Sequence, residues 1–510
     1  MKKVLEAIIE KKLLPSYEIL EEKNNTKTTI KKIFFENFKD FCDFLEEKKK
    51  ILITEEIIYS YLEEKKEKIF EKKTEQKNSD NTKEVINKNN DIEILENYYE
   101  KNAKLSVNDF VNLYNKRFFL LQNILKQRKE LENAVSIKRI SFLDDKESVS
   151  FIGLVSEISY TKNNNLILVL EDNTDKIKAI ITKNKEKDIN FKEIILDEVI
   201  GITGTKSGDI IFVNSVFFPD VPIATELKKS NLKESAVFIS DIHLGSKAFL
   251  KKEFEFFIDW LSGKTENKEN FSKNIITKNI KYLFIIGDLV EGIGIYPDQE
   301  KDLEIKDIFE QYKLFTDYIK KIPKHIKIII SPGNHDSLRI AEPQPPLTKN
   351  LVPELYEMEN VFFVSSPSLV KIGKNNNFNG FDVLIYHGFS FPYYADAVET
   401  LRMKGGLENT ENILEFLLKK RHLAPTHGST QYQLGYETDP LFIKIVPDFF
   451  VSGHVHRASI KNYKNITLLN CGCWISQTDY QEKRGLIPMP ARAIYVDLST
   501  RESKILDFNF

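Results

Sequence analysis

The chain has 510 residues, 41% of them hydrophobic and 29% charged, with 74 Lys and Arg against 76 Asp and Glu for a formal net charge of -2. That length is too great for one hydrophobic core and implies about three domains. The near-neutral balance excludes a bulk polycation, so any nucleic-acid contact must come from a local basic face. No apolar run reaches the roughly eighteen residues that span a bilayer, and the opening dozen residues are too charged for a signal peptide. Only Cys42, Cys471 and Cys473 occur. That usage fits a reducing, cytoplasmic setting, with Cys471 and Cys473 packed in a strand rather than holding zinc.

Residues 1–70 place Ile30, Ile33, Phe34, Phe38, Phe41 and Phe44 at helical spacing among Lys and Glu, which predicts a small helical domain. Residues 71–93 offer almost nothing to bury and read as a flexible linker. Residues 94–133 form the next segment, helical and apolar at Phe110, Leu113, Tyr114, Phe118, Leu121 and Ile124, packing on the domain after it. In 134–225 five short strands are expected, at 151–155, 166–170, 177–181, 199–202 and 210–213, with a polar helical insert between the third and fourth. That pattern predicts an OB-fold barrel. Such barrels bind single strands through aromatic platforms and cations, yet few aromatics are evident here, so a structural role fits equally. From 234 to 510 strands alternate with amphipathic helices, for example Phe254, Phe257, Ile258 and Leu261, or Ile305, Ile308, Phe309 and Tyr312. The fold class is therefore α/β, a two-sheet sandwich preceded by an all-β barrel and a helical domain.

Five segments of this last region each end an apolar run with metal-binding residue types: Asp241 and His243, Asp288, Asn334 to Asp336, His387, and His454 with His456. Five of the eight histidines of the chain lie in them. A lone Gly-Asp or His-Gly after a strand is usually a turn. The conjunction at successive strand ends, where open α/β sheets place ligands, points instead to a two-metal phosphoesterase. Asp241 and His243, two apart in an extended chain, would leave on the same side and reach one ion. Asp288, beside the permissive Gly287, is the candidate bridging carboxylate. Asn334 adds an amide oxygen, His387 an imidazole, and His454 with His456 repeats the two-residue spacing. Mixed nitrogen and oxygen donors suit Mn, Fe or Zn better than Ca, with Mg also compatible. His325, His422 and His427 read as solvated or structural, and Arg339 as a phosphate contact or an ion-pair partner in equal measure.

The order and spacing of these segments resemble the calcineurin-like metallophosphoesterases. Residues 240–246, 287–297, 332–336 with 341–345, 421–425 and 477–481 extend the likeness: from about Ala134 to Asp497 the chain resembles the small subunit of archaeal family-D DNA polymerase. The resemblance implies a metal-dependent 3′ to 5′ proofreading exonuclease acting on single-stranded DNA ends, and a separate large catalytic subunit as partner. It puts one ion on Asp241, His243, Asp288 and His456 and the second on Asp288, Asn334, His387 and His454. His335 becomes the general acid, with Asp336 orienting its ring. Where repair nucleases of the superfamily tend to carry a His three residues after the bridging Asp, this chain has Glu291. The competing readings are an inactive scaffold subunit, against which the full donor set argues, and a stand-alone metallophosphatase. The turn-rich segments 341–347 and 421–429 are expected as rigid surfaces for the protein partner.

Overall fold

The computed structural model describes residues 91–509 apart from 101–104, 186–190, 224, 265–274, 276 and 484. Of the first ninety residues it describes only two short paired strands, Leu14–Pro15 and Leu52–Ile53. The expected helical domain at 1–70 and nearly all of the linker at 71–93 thus lie outside the described residues. The chain divides into two units, Met1–Ile86 and Asn87–Phe510. The second unit holds a closed barrel and two large sheets.

Its strands, in chain order, are β1 (Ile92–Glu96), β2 (Ser148–Tyr160), β3 (Leu166–Glu171), β4 (Lys176–Ile181), β5 (Val199–Ser207), β6 (Ile210–Phe217), β7 (Ser235–Ile239), β8 (Ile280–Ile286), β9 (Lys327–Ser331), β10 (Val361–Phe363), β11 (Ser368–Ile372), β12 (Phe381–Ile385), β13 (Phe449–Ser452), β14 (Ser459–Tyr463), β15 (Ile466–Asn470), β16 (Arg492–Asp497) and β17 (Ser503–Asp507). The longer helices are α1 (Val107–Leu125), α2 (Lys251–Leu261), α3 (Ile308–Ile319) and α4 (Thr410–Lys420).

Strands β2 to β6 close a five-stranded barrel in the order β2-β3-β4-β6-β5, the strand order of an OB-fold. Alternation drives it: in β3 Leu166, Leu168 and Leu170 point inward and are buried while their neighbours are half-buried. Helix α1 lies against this barrel through Phe118, Leu121 and Leu125, which pack with Ile152 and Leu154 of β2.

The remaining strands form two six-stranded sheets, β10-β9-β8-β7-β16-β17 and β14-β15-β13-β12-β11-β1. Strands β7, β8, β9, β12 and β13 are buried almost throughout and read as nearly continuous apolar runs, as strands covered on both faces do. Phe238, Phe284, Ile286, Val383, Ile385, Phe449 and Val451 meet between the sheets. Helices α2 and α3 cover the outer face of the first sheet, α4 that of the second. Phe309, one of the residues whose spacing predicted α3, is 60% exposed, because the apolar stripe turns inward only from Tyr312 and Phe315 onward.

Strand β1 departs from expectation. Residues 92–96, read as linker and the start of a helical segment, pair antiparallel with β11 and complete the edge of the second sheet. Asp91, just ahead of it, pairs with Lys281 of β8 and Lys327 of β9. A single short strand of alternating Ile and Glu amid a polar stretch gives too little periodicity to be read from the sequence.

Candidate metal centre

Every motif residue leaves the C-terminal end of a parallel strand, and both sheets present those ends at one edge. Asp241 follows β7, Asp288 follows β8, Asn334 follows β9, His387 follows β12, and His454 and His456 follow β13. Asp241, His243, Asp288, His454 and His456 all adopt the left-handed conformation, with φ between 50° and 69°. For a side chain with a Cβ this costs about 1–2 kcal/mol per residue, so packing must hold it, and five such residues cluster here. This corrects the expectation of an extended Asp241 and His243: each sits on a tight turn, and the turns rather than the two-residue alternation aim both inward. The glycines make room. A Cβ on Gly287 would lie 2.5 Å from His387 Nδ1, and one on Gly333 2.3 Å from Asp288 Oδ1.

Three overlapping sets of donor atoms result, each within 4.8 Å of one another: Asp241, His243 and His456; His243, Asp288 and His335; and Asp288, His387 and His454. Asp288 belongs to two of them. His387 Nε2 lies 3.2 Å from Asp288 Oδ2 and 3.2 Å from Asn334 Oδ1. His456 Nε2 is 3.4 Å from Asp241 Oδ1 and 3.1 Å from His243 Nε2. Two imidazole nitrogens that close, with carboxylates beside them, form a pocket of lone pairs that a shared cation satisfies. The donor set, imidazoles with two carboxylates and an amide oxygen, fits two borderline divalent ions. Nothing in it selects among Mn, Fe, Zn and Mg.

The electrostatics are those of a buried, mutually charged cluster. Burial alone would raise the Asp288 carboxyl, but His387 and His335 outweigh it and hold it well below the usual carboxylate range. Burial lowers His387, and Asp288 more than reverses this, raising it to about 9. His454 is pushed down to about 3 by burial and by the neighbouring His387. Asp241 is kept ionised against burial chiefly by His456.

The ring of His335 is 17% exposed, more open than those of His243 and His387, and its Nδ1 lies 2.9 Å from the carbonyl oxygen of Glu291. Asp336, expected to orient that ring, does something else. Its carboxylate accepts the N–H groups of Gly333 and Leu289 and the hydroxyl of Tyr312, tying the loop after β9 to the loop after β8. Burial and the nearby Asp288 raise its carboxyl to about 7. Arg339 is committed as well. Its guanidinium donates to the carbonyl of Pro343 and the hydroxyl of Tyr436, which removes it as a free phosphate contact.

The segments 341–347 and 421–429, expected as partner surfaces, are internal braces over most of their length. Buried Glu342 accepts hydrogen bonds from Tyr386 and Thr430, and buried His422 shares Asp439 with Arg117 of α1. His427 is exposed, its ring against Phe110, and His325 is exposed as anticipated. Sequence reasoning assigned no role to Gln481, whose side-chain amide lies 2.7 Å from His456 Nδ1, or to Tyr312. The only signal for Gln481 was its place in the 477–481 stretch.

The calcineurin-like phosphoesterase model matches residues 235–458, a span that begins with β7 and ends just beyond His456. The DNA polymerase II small subunit of Methanothermobacter thermautotrophicus is 39% identical over 383 residues, covering 75% of this chain and 76% of its own. This chain belongs to the archaeal DNA polymerase II small subunits. The subunit of Archaeoglobus fulgidus is 38% identical over 395 residues, covering 76% of this chain and 75% of its own. That of Pyrococcus horikoshii is 37% identical over 414 residues, which is 80% of this chain but 64% of its own, so the chain spans less than two-thirds of that relative. In this chain the phosphoesterase motifs sit on the two-sheet sandwich and the barrel precedes it. Among the described residues no helix is long and apolar enough to cross a membrane.

Proposed function

We propose that this small subunit carries a two-metal 3′ to 5′ exonuclease that trims single-stranded DNA ends for the large catalytic subunit of a heteromeric polymerase. The observation carrying the reading is the pair of donor sets Asp241, His243, His456 and Asp288, His387, His454, which lie side by side with His243 Nε2 3.8 Å from Asp288 Oδ2 and the more open imidazole of His335 within reach of both those residues. Asp241, His243, Asp288 and His456 would hold one ion, and Asp288, Asn334, His387 and His454 the other. Two divalent cations so placed would supply water activation and neutralise charge on a phosphoryl group undergoing in-line displacement.

The chain's own part is positioning and proton transfer. With Nδ1–H donated to the Glu291 carbonyl, His335 presents Nε2 to the substrate and, when protonated there, gives that proton to the departing 3′ oxygen. Asp336 fixes the backbone that carries His335 rather than the ring itself. Asp241 and His387 are fully buried, whereas Asn334, His335, His454 and His456 are partly exposed, so these four offer the accessible side of the cluster to a phosphodiester. A complete donor set favours a working nuclease over an inactive scaffold. The family assignment favours DNA over a small phosphoester.

The test is digestion of end-labelled single-stranded DNA by the purified chain with Mn. Wild type is expected to shorten 5′-labelled strands one nucleotide at a time, and Asp288→Asn to retain no more than a few per cent of that activity. An Asp288→Asn protein that digests at wild-type rate, or a wild type that releases only inorganic phosphate from small esters, overturns the proposal.

A further inference from the structure

Glu291, buried three residues after Asp288, belongs to neither proposed ion. We propose that Glu291 is a positioning residue for two imidazoles at once: its carboxylate sets the tautomer of His243, and its main-chain carbonyl sets that of His335. The inference rests on the two-ion reading of the site.

His243 Nδ1 lies 2.9 Å from Glu291 Oε2, an ion-pair contact off the line of a hydrogen bond, and that nitrogen makes no other hydrogen bond. An imidazole that donates Nδ1–H to a carboxylate keeps its lone pair on Nε2 and becomes a stronger donor there, which is how outer carboxylates orient ligating histidines. Nε2 is the atom that faces the cluster, 3.1 Å from His456 Nε2, 3.8 Å from Asp288 Oδ2 and 3.9 Å from Asp241 Oδ1. The carbonyl of the same residue is 2.9 Å from His335 Nδ1, which leaves the other nitrogen of that ring for the substrate side. The two rings meet edge to face with centroids 4.6 Å apart, so one residue fixes the angle between a ligand and the acid.

Glu291 is itself pinned at every polar atom. Its N–H donates to the Leu244 carbonyl. Its Oε1 accepts the Tyr296 hydroxyl at 3.1 Å, and its carbonyl also accepts the Gln299 amide at 3.0 Å. It is 4% exposed, and its carboxylate is in none of the three donor sets found among the described residues. A residue that only filled space or paired one charge would need neither the second imidazole nor the Tyr296 and Gln299 supports.

The roles of side chain and carbonyl separate experimentally. Ring nitrogen spectra of the metal-free, full-length chain labelled in histidine, assigned by single histidine substitutions, are expected to show His243 and His335 both protonated at Nδ1. In Glu291→Ala the His243 preference should be lost while that of His335 remains, because the carbonyl is still present. Mn titration followed by electron paramagnetic resonance should show one of two affinities weakened about 10- to 100-fold and the other unchanged. Glu291→Gln keeps the volume and removes the charge. Should the alanine variant fail to fold, the glutamine variant decides, with a several-fold loss at the same ion. Wild-type tautomers together with wild-type affinities in a folded variant overturn the proposal. If the wild type binds fewer than two Mn ions the two-ion reading fails, yet the metal-free spectra still rule on Glu291.

Discussion

Replacing Arg117 with Met should loosen the segment 421–442 without touching the donor cluster. Arg117 is 2% exposed; its Nε lies 2.6 Å from Asp439 Oδ2, and its Nη1 donates to the Pro425 carbonyl at 3.0 Å. Burial works against both charges, and their mutual pairing wins for both: Arg117 is raised and Asp439 held far below the usual carboxylate range. The Met variant leaves Asp439 buried without a cation, with the His422 ring 3.0 Å away and the Leu441 N–H donating at 3.1 Å. Removing one partner of a buried pair costs about 3–5 kcal/mol. At about 1.4 kcal/mol per decade this is a roughly 10²- to 10⁴-fold rise in local opening. Amide hydrogen exchange of peptides within 421–442 measures it directly, with β8 and β13 as internal references. A change below about fivefold in that segment would mean that the pair contributes nothing net, and the bracing role would have to be abandoned.

Three further outcomes are expected. His422 is pushed down to about 4 by burial and by Arg117. The unfolded chain therefore binds the extra proton between pH 6.5 and 4, so stability from the neutral ring is complete above 6.5 and lost as pH falls through that window. Opening of 421–442 should rise about 20-fold from pH 7 to 5 after correction for intrinsic exchange, and His422→Gln should abolish the dependence. His335→Ala should slow DNA cleavage roughly 10²- to 10⁴-fold with unchanged metal stoichiometry by elemental analysis; loss of an ion would make His335 a ligand. Deleting Met1–Ile86 should leave the melting transition of the remaining unit in place, whereas deletion through Glu96 removes β1 and the Asp91 pairs with Lys281 and Lys327 and should lower it; equal melting curves for the two truncations would show that β1 adds nothing.

The donors were legible because their chemistry is narrow: Asp, Asn and His recur at the ends of five strands, β7, β8, β9, β12 and β13, in one chain order. The sheets were legible because strands buried on both faces carry nearly continuous apolar runs, as 282–286 of β8 and 449–451 of β13 do. What lay hidden was whatever depends on partners distant in sequence. Asp336 beside His335 looked like an orienting acid, and only the fold reveals that Leu289 and Tyr312 claim it. Segment 421–429 looked like a surface because Pro, His and Gly usually lie outside, whereas α1, some 300 residues earlier in the chain, supplies the arginine that draws Asp439 and His422 inward. Glu291 showed as a departure from pattern, with no hint that its carbonyl mattered.

The cluster also has a mechanical side. Asp241, His243, Asp288 and Asn334 hang from one sheet, and His387, His454 and His456 from the other, so each proposed ion would draw donors from both sheets. Between the sheets lie mainly apolar side chains, with Asp91 at the β1 edge pairing across to Lys281 and Lys327. The donors close the open end of that interface like a clasp. A shift of one sheet against the other would change the 3.2 Å separation of Asp288 Oδ2 and His387 Nε2, one donor from each sheet.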